Sequence, residues 1–90
     1  MADRIAQRER IFKALANRRR IAIIVYLKKR KEAAVGDIAG TIRLSFKATS
    51  KHLNILNAAN ILEREQRSLQ MYYRLASDMP SATRSVVSLL

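Results

Sequence analysis

The chain lacks cysteine altogether and has a single histidine, His52, among its 90 residues. The missing thiols exclude disulfides, thiolate metal sites and cysteine nucleophiles, and one histidine cannot form a multi-histidine metal site within one chain. The acidic residues are scattered singly along the sequence, so we find neither a nucleophile–base pair nor a metal-binding triad. We therefore expect no enzyme activity, no cofactor and no bound metal.

Long apolar runs are also missing. The longest, Ile21 to Leu27, has seven residues, whereas a membrane-spanning helix needs roughly 20. The N-terminus has no apolar signal core. The sequence therefore predicts a cytoplasmic protein that does not enter a membrane.

Acidic residues are few. Seven Asp and Glu stand against 18 Lys and Arg, so the formal net charge at pH 7 is +11 and the pI is near 11.2. Such an excess of positive charge causes self-repulsion, which a polyanionic partner would relieve. Nucleic acid is the first candidate. An anionic membrane surface is less favoured, because the cations are spread over several elements and not gathered on one amphipathic helix.

What is present is enough for one globular domain spanning residues 1–90, with a hydrophobic share of 49% and a mean hydropathy of −0.15.

Residues 3–16 are predicted to form a first helix, which either covers the core or also pairs with a second subunit. Asn17 is placed to cap a second helix from residue 18 to about 27–29. The β-branched run at residues 21–27 would also suit a buried strand, but the length of the segment favours a helix. The arginines at 18–20 either clamp DNA phosphates or form a solvated helix start. Three cations in the first turn oppose the helix dipole, so we expect a compensating anion nearby, either a protein carboxylate or a phosphate.

The stretch from Leu44 to Leu56 has two distinct faces at helical spacing. Thr49, Leu53 and Leu56 share one face, in the pattern of a helix that packs on a core. The opposite face is polar and cationic, carries no acid, and consists of Ser45, Lys47, Ser50, Lys51 and Asn54. Such a helix can pack on one side and enter a DNA major groove on the other. The alternative is an ordinary solvated amphipathic helix.

The segments around this stretch favour the DNA-binding interpretation. Residues 33–35 are predicted to form a short strand and 36–42 a short helix, and a tight turn at 43–44 would lead into the longer helix. Short helix, turn and longer helix is the helix-turn-helix arrangement. Asn60 is a candidate for the left-handed residue that ends the longer helix, a role usually taken by glycine.

Two strands, 62–65 and 70–75, are predicted to form a hairpin around a tip at 66–69, because Met71, Tyr73 and Leu75 alternate with Tyr72 and Arg74. Arg67 at the tip could reach a minor groove or a phosphate, or could be an exposed loop arginine. A final helix follows Pro80, over residues 81–89. Its apolar C-terminal end suggests a dimer contact.

Several short segments match one protein family in order and spacing: Ala14–Asn17 with Arg20-Ile21, Asp37–Ala39, Leu44-Ser45, Ser50–Leu53, Leu56, Ala59, Ile61-Leu62 and Tyr72–Leu75. Over roughly residues 11–76 the chain resembles the ArsR/SmtB family of winged helix-turn-helix repressors. The resemblance implies a mainly α (α+β) fold, with about five helices and a two-stranded β-hairpin wing. It also implies a homodimer formed by the terminal helices (about 3–16 and 81–89), a palindromic operator in double-stranded DNA, and repression relieved by an effector.

Carried over by position, the resemblance puts Ser45, Phe46, Lys47, Ala48, Ser50 and Lys51 at the major groove and Arg67 on the wing. Ala34 and Gly36 stand where many metal-sensing members have Cys-x-Cys, and no histidine lies beyond His52. We therefore expect no metal sensing by either family route, and the effector is unknown. His52 could donate to a phosphate, but a packing residue held by one hydrogen bond is the favoured interpretation.

The leading hypothesis is a dimeric, sequence-specific DNA-binding transcriptional regulator of the repressor type. It would read the major groove with residues 45–57 and contact flanking DNA with the 62–75 wing. The alternative is a winged-helix interaction or assembly module that has no sequence-specific DNA binding.

Lys47→Ala should weaken binding to a selected operator by about 1 kcal/mol or more beyond its effect on random duplex, because Lys47 lies at the N-terminal end of the groove-reading helix. The measurement is the dissociation constant on both DNAs at one salt concentration. An equal loss on both would contradict this placement of Lys47.

Overall fold

Five helices and a three-stranded antiparallel sheet make up residues 2–90, the part of the chain that the structure, a computed structural model, describes. In chain order the elements are α1 (Ala2–Leu15), α2 (Arg18–Arg30), β1 (Glu32–Ala34), α3 (Val35–Ile42), α4 (Phe46–Ala58), β2 (Leu62–Arg67), β3 (Gln70–Leu75) and α5 (Ser81–Ser88). The predicted winged helix-turn-helix is confirmed. The sheet differs from the prediction in two respects. First, β1 pairs with β3 and adds a third strand to the hairpin. Second, β2 continues to Arg67, which pairs with Gln70, so the tip is residues 68–69 and Arg67 is the last residue of the strand instead of a tip residue.

The ambiguous segment 21–27 is part of a helix. Asn17 caps α2 as predicted, since its side-chain oxygen accepts from the backbone N–H of Arg19 at 2.9 Å and of Arg20 at 3.2 Å. The apolar residues of α2 then form the centre of the core with α3, α4 and the start of β2. The fully buried members of this core include Ile23, Ile24, Leu27, Ile38, Leu53, Leu56, Ile61 and Leu62.

Both ends of α4 are closed by hydrogen bonds. At the start, Ser45 Oγ accepts from the backbone N–H of Ala48 at 3.1 Å. At the end, Asn60 has φ 59°, its N–H donates to Asn57 O at 3.0 Å, and the N–H of Ile61 donates to Leu56 O at 3.0 Å. This pair of bonds is a Schellman motif. The prediction that Asn60 ends the helix in a left-handed conformation is confirmed.

The turn between α3 and α4 is formed without glycine. Arg43 takes the left-handed conformation (φ 58°, ψ 49°), and the N–H of Leu44 donates to Ala39 O at 3.1 Å. Neither Gly36 nor Gly40 has a positive φ, and both lie inside α3. Among residues 2–90 the positive-φ positions are all occupied by residues with a Cβ, namely Lys31, Arg43, Asn60 and Ser68.

The terminal helices lie on the core formed by the helix-turn-helix. Ile11, Ala14 and Leu15 of α1 and Val87 of α5 are buried. Lys28 Nζ donates to the carbonyls of Val87 and Ser88, each at 3.2 Å, and so places a cation at the negative end of α5. No helix within residues 2–90 combines the length and apolarity needed to cross a bilayer.

Glycine and alanine should have opposite effects on stability at positions 40 and 43. Gly40→Ala should raise the free energy of unfolding by about 0.5–1 kcal/mol, because an added Cβ meets no atom within 4 Å and alanine favours a helix. At position 43, glycine should be more stable than alanine by about 1 kcal/mol, because only alanine keeps a Cβ at positive φ. Urea unfolding of Gly40→Ala, Arg43→Gly and Arg43→Ala measures both differences. The same order of alanine and glycine at the two sites would contradict the assigned backbone conformations.

Candidate nucleic-acid interface

The exposed face of α4 is cationic. Thr49, Leu53 and Leu56 are fully buried, and Lys47 and Lys51 are exposed on the other side with no ion-pair partner in the described residues. Both predicted faces of α4 are therefore present. The caps at Ser45 and Asn60 fix the two ends of the helix and so the length of its exposed cationic face. Of the other positions expected at DNA, Ser50 and Ala48 are half-buried and Phe46 is exposed.

Phe46 lies between α3 and the tip of the wing. Its side chain is 63% exposed, and that of Leu69 at the tip is 96% exposed. Both border a shallow cavity of about 190 Å³, together with residues 34–37, Gln70 and Met71. The second helix of the helix-turn-helix, α4, is called the recognition helix in such folds. This helix and the wing tip therefore present apolar side chains beside the cationic face.

Arg64 joins the wing to α4 and was missed by the sequence reasoning. It lies directly opposite Tyr73 in the β2–β3 register, so both side chains point toward the same face of the sheet. One terminal nitrogen, Nη1, donates to Asn54 Oδ1 at 3.1 Å and to Tyr73 OH at 3.3 Å. The alternation of Leu62, Arg64 and Gln66 could have shown that Arg64 shares a face with buried Leu62, but it could not show the contact with Asn54.

Arg67 lies on the opposite face of the sheet. Its guanidinium donates to both carboxylate oxygens of Glu32, at 2.9 and 2.8 Å, and to Glu65 at 3.1 Å, and its central carbon is 4.6 Å from the centre of the Tyr72 ring. The hydrogen bond from Arg67 lowers the pKa of the Glu32 carboxyl, and hydrogen bonds from Arg67 and then Arg74 lower that of Glu65. A DNA contact by Arg67 stays a prediction, and it would require a phosphate to share or replace these carboxylates.

Arg20 connects three helices. Nε donates to Ala14 O at 2.7 Å and Nη2 to Lys13 O at 3.2 Å, and Nη1 lies 3.1 Å from His52 Nδ1 on α4. The carbonyls are at the negative C-terminal end of α1, so they place partial negative charge beside Arg20. In residues 2–90 no carboxylate pairs with the arginines at 18–20, so the compensating anion expected there stays a prediction. Arginine can only donate. His52 Nδ1 therefore accepts, and the neutral ring carries its proton on Nε2.

A cationic recognition helix, a preceding short helix and a β-hairpin beside it define the class of the protein as a winged helix-turn-helix. The family model described as "Bacterial regulatory protein, arsR family" matches residues 17–64, which is more than half of the chain. The chain belongs to this family, as the sequence resemblance implied. It is a family of regulatory proteins, not of enzymes.

Two curated relatives and one solved structure show how close the similarity is. The chain is 38% identical over 65 residues to the nodulation protein NolR of Rhizobium meliloti, covering 72% of this chain and 52% of that protein. It is 34% identical over 67 residues to the arsenical resistance operon repressor of Bacillus subtilis (strain 168), covering 74% and 64%. The chain thus spans between half and two thirds of the length of these relatives.

The solved structure is the solution structure of the homodimeric winged helix-turn-helix DNA-binding domain of Mb0332 from Mycobacterium bovis. It superposes with a TM-score of 0.84 at 30% identity, covering 98% of this chain and 78% of that one. The similarity extends over nearly all of this chain, including the terminal helices.

Titration of His52 should make the folded protein less stable as the pH falls. Partial burial, and then the guanidinium groups of Arg20 and Arg19, lower the pKa of His52 below its ordinary value of 6.5. The unfolded chain therefore takes up the proton first, and the stability contributed by neutral His52 is complete above about pH 6.5 and is lost as the pH falls toward the folded pKa. Urea unfolding across this range measures the loss.

His52→Asn is the matched control, because its amide oxygen can accept from Arg20 but does not titrate. The variant should lose this part of the pH dependence and keep the part at lower pH that comes from carboxylates. A wild-type stability that rises on acidification between about pH 7.5 and 5.5 would contradict the neutral form of His52.

Proposed function

We propose that this chain acts as a homodimeric, sequence-specific transcriptional repressor that binds a palindromic operator in double-stranded DNA. The observation that carries the proposal is the exposed face of α4, which is capped at both ends, carries lysines and small polar residues, and has no acidic residue. The relatives include an operon repressor and a homodimeric DNA-binding domain, which supports the same function here.

In this proposal α4 enters the major groove with its exposed face, from the N-terminal end to about Asn54, at the base edges. The contacts come from Ser45, Phe46, Lys47, Ala48, Ser50 and Lys51, to which the geometry adds Asn54. Ser45 Oγ uses a lone pair to cap the helix, so its own hydroxyl proton remains free to donate to a phosphate. On random duplex DNA, where no base sequence is read, both Lys47 and Lys51 can contact phosphates, and lysine contacts to phosphate account for much of the affinity for DNA.

The wing, residues 62–75, contacts DNA beside the groove in this proposal. Arg64 is on the face of the sheet next to α4, and Leu69 is at the exposed tip. Arg67 is proposed to reach the flanking backbone only if a phosphate takes the place of Glu32 or Glu65. Contact between Arg67 and a phosphate would therefore require breaking ion pairs that Arg67 already forms with Glu32 and Glu65.

We propose that α1 and α5 form the interface between two copies. Phe12 is 59% exposed on α1 and Leu89 is 84% exposed at the end of α5. An apolar groove of about 70 Å³ runs between the two helices, lined by Arg8, Ile11, Phe12, Ala82, Thr83 and Val86. A second copy that covers these side chains would remove apolar surface from water. A palindromic operator requires that the two α4 helices of such a dimer lie about 34–36 Å apart.

The proposed repressor would work in the cytoplasm, where bacterial DNA is located. We expect no metal to be sensed where β1 meets α3, because positions 34 and 36 carry alanine and glycine, which have no metal-binding side chain. In residues 2–90 no cluster of three His, Asp or Glu side chains is placed to hold a metal ion.

A salt titration on random duplex DNA tests the electrostatic part of the proposal. The logarithm of the association constant should fall linearly with the logarithm of the salt concentration, with a slope of about −0.9 for each phosphate contact. Replacing Lys47 and Lys51 together by glutamine should reduce the slope by roughly two contacts.

The matched control replaces Lys29 and Arg30, on the last turn of α2, by glutamine. It removes the same amount of positive charge from a different part of the surface. This control should leave most of the slope unchanged. No binding at low salt would remove DNA binding as the function and favour the interaction-module alternative. An equal change of slope in both double variants would contradict α4 as the contact surface.

A further inference from the structure

Asn54, Arg64 and Tyr73 form a chain of hydrogen bonds from the core to the exposed face of α4. Tyr73 is 3% exposed, so its ring is held by the core and its hydroxyl has little freedom. Arg64 Nη1 donates to that hydroxyl and to Asn54 Oδ1. Asn54 itself is exposed and stands seven residues beyond Lys47 and four beyond Ser50, on the side of α4 that carries these polar residues.

The chemistry of this chain determines which way the amide of Asn54 points. A guanidinium has only donors, so the atom of Asn54 that faces Arg64 must be the oxygen, and the NH₂ group must face the other way. The oxygen has two lone pairs, of which Arg64 uses one. Asn54 therefore presents a fixed NH₂ donor and one remaining acceptor lone pair.

We propose that Arg64 is a positioning residue that fixes Asn54 to read one adenine in the major groove. An asparagine amide recognises adenine with two bonds, donating to N7 and accepting from the N6 amino group. Both groups that this needs are free on Asn54 when Arg64 holds the oxygen by its second lone pair. The inference rests on the proposed function, because it requires α4 to lie in the major groove.

The competing role for Arg64 is a direct contact with a phosphate. That role would make Arg64 part of the sequence-independent attraction, which weakens evenly on all DNA when the charge is removed. A positioning role predicts a different result. Replacing Arg64 should then weaken binding through one base pair only. This loss of affinity should disappear when Asn54 is already absent, because the two residues act through one contact.

The test begins with the duplex that the wild-type full chain enriches from a randomised library, and with its single-base-pair substitutions. Dissociation constants on this set are measured for wild type, Asn54→Ala, Arg64→Ala and the double variant. Asn54→Ala should remove discrimination at one A·T pair, and that discrimination should be roughly 5- to 150-fold in the wild type. Arg64→Ala should lose most of the discrimination at the same pair, and the double variant should match Asn54→Ala.

Two further variants separate positioning from loss of charge and from loss of fold. Tyr73→Phe keeps the buried ring and removes only the hydroxyl that holds Arg64, so it should reduce discrimination at the same base pair in part. Lys29→Ala removes one cation from α2 and should leave the discrimination at that pair unchanged. Thermal unfolding of each variant confirms that the fold is retained.

Three results would overturn the inference. An even loss on all duplexes for Arg64→Ala, additive with Asn54→Ala and with a salt slope smaller by about one contact, would make Arg64 a phosphate contact. Unchanged base preferences in Asn54→Ala would remove Asn54 from base recognition. If no duplex is enriched, the proposed function fails and the inference fails with it, whereas enrichment with either of the first two results leaves the proposed function intact.

Discussion

Burial of one side of α4 is the constraint on which the rest of this structure depends. Leu53 and Leu56 of α4 are completely buried against the core. Removing each of these side chains from water stabilises the fold by about 1.5–3 kcal/mol. A helix rotates by about 100° per residue, so turning α4 by one position would bury Asn54 and Asn57 in one direction or His52 in the other, and would expose a leucine. The apolar stripe therefore decides which side chains face outward. Burial of the apolar stripe in the core is therefore sufficient to orient the polar face of α4 toward solvent.

Side-chain hydrogen bonds on both flanks of α4 then connect it to the other elements. On one flank His52 accepts from Arg20, which also binds the last carbonyls of α1. On the other flank Asn57 Nδ2 donates to Leu62 O at 3.1 Å, and Asn54 accepts from Arg64. Each such bond contributes only about 0.5–1.5 kcal/mol of net stability. Their effect is mainly geometric, because they tie the recognition helix to the helix proposed for dimerisation on one side and to the wing on the other.

Local patterns predicted much of the fold, and contacts between distant residues could not be predicted. The caps at Asn17 and Asn60, the two faces of α4 and the hairpin alternation each depend on residues within a few positions of one another. The pairing of β1 with β3 and the bond between Arg67 and Glu32 join residues about 40 and 35 positions apart. Period-two alternation places Arg64 on a face of the sheet, but nothing in the sequence shows that α4 brings Asn54 to it. The least predictable part of the candidate site is therefore where the wing meets the recognition helix.

The ion pairs on the outer face of the sheet act on the electric field more than on stability. Glu32, Glu63 and Glu65 are three of the seven acidic residues, and they bind Arg67 and Arg74. Exposed pairs of this kind contribute little to stability, because water and salt screen them. They nevertheless nearly neutralise that face and leave the excess of positive charge to the helical part of the chain. Since the field of the whole protein steers a charged partner during encounter, a polyanion is drawn toward the helices and away from the outer face of the sheet. In the proposed function, the lysines of α4 would therefore make the first contact with DNA, and the wing would dock afterwards beside a helix that is already in the groove.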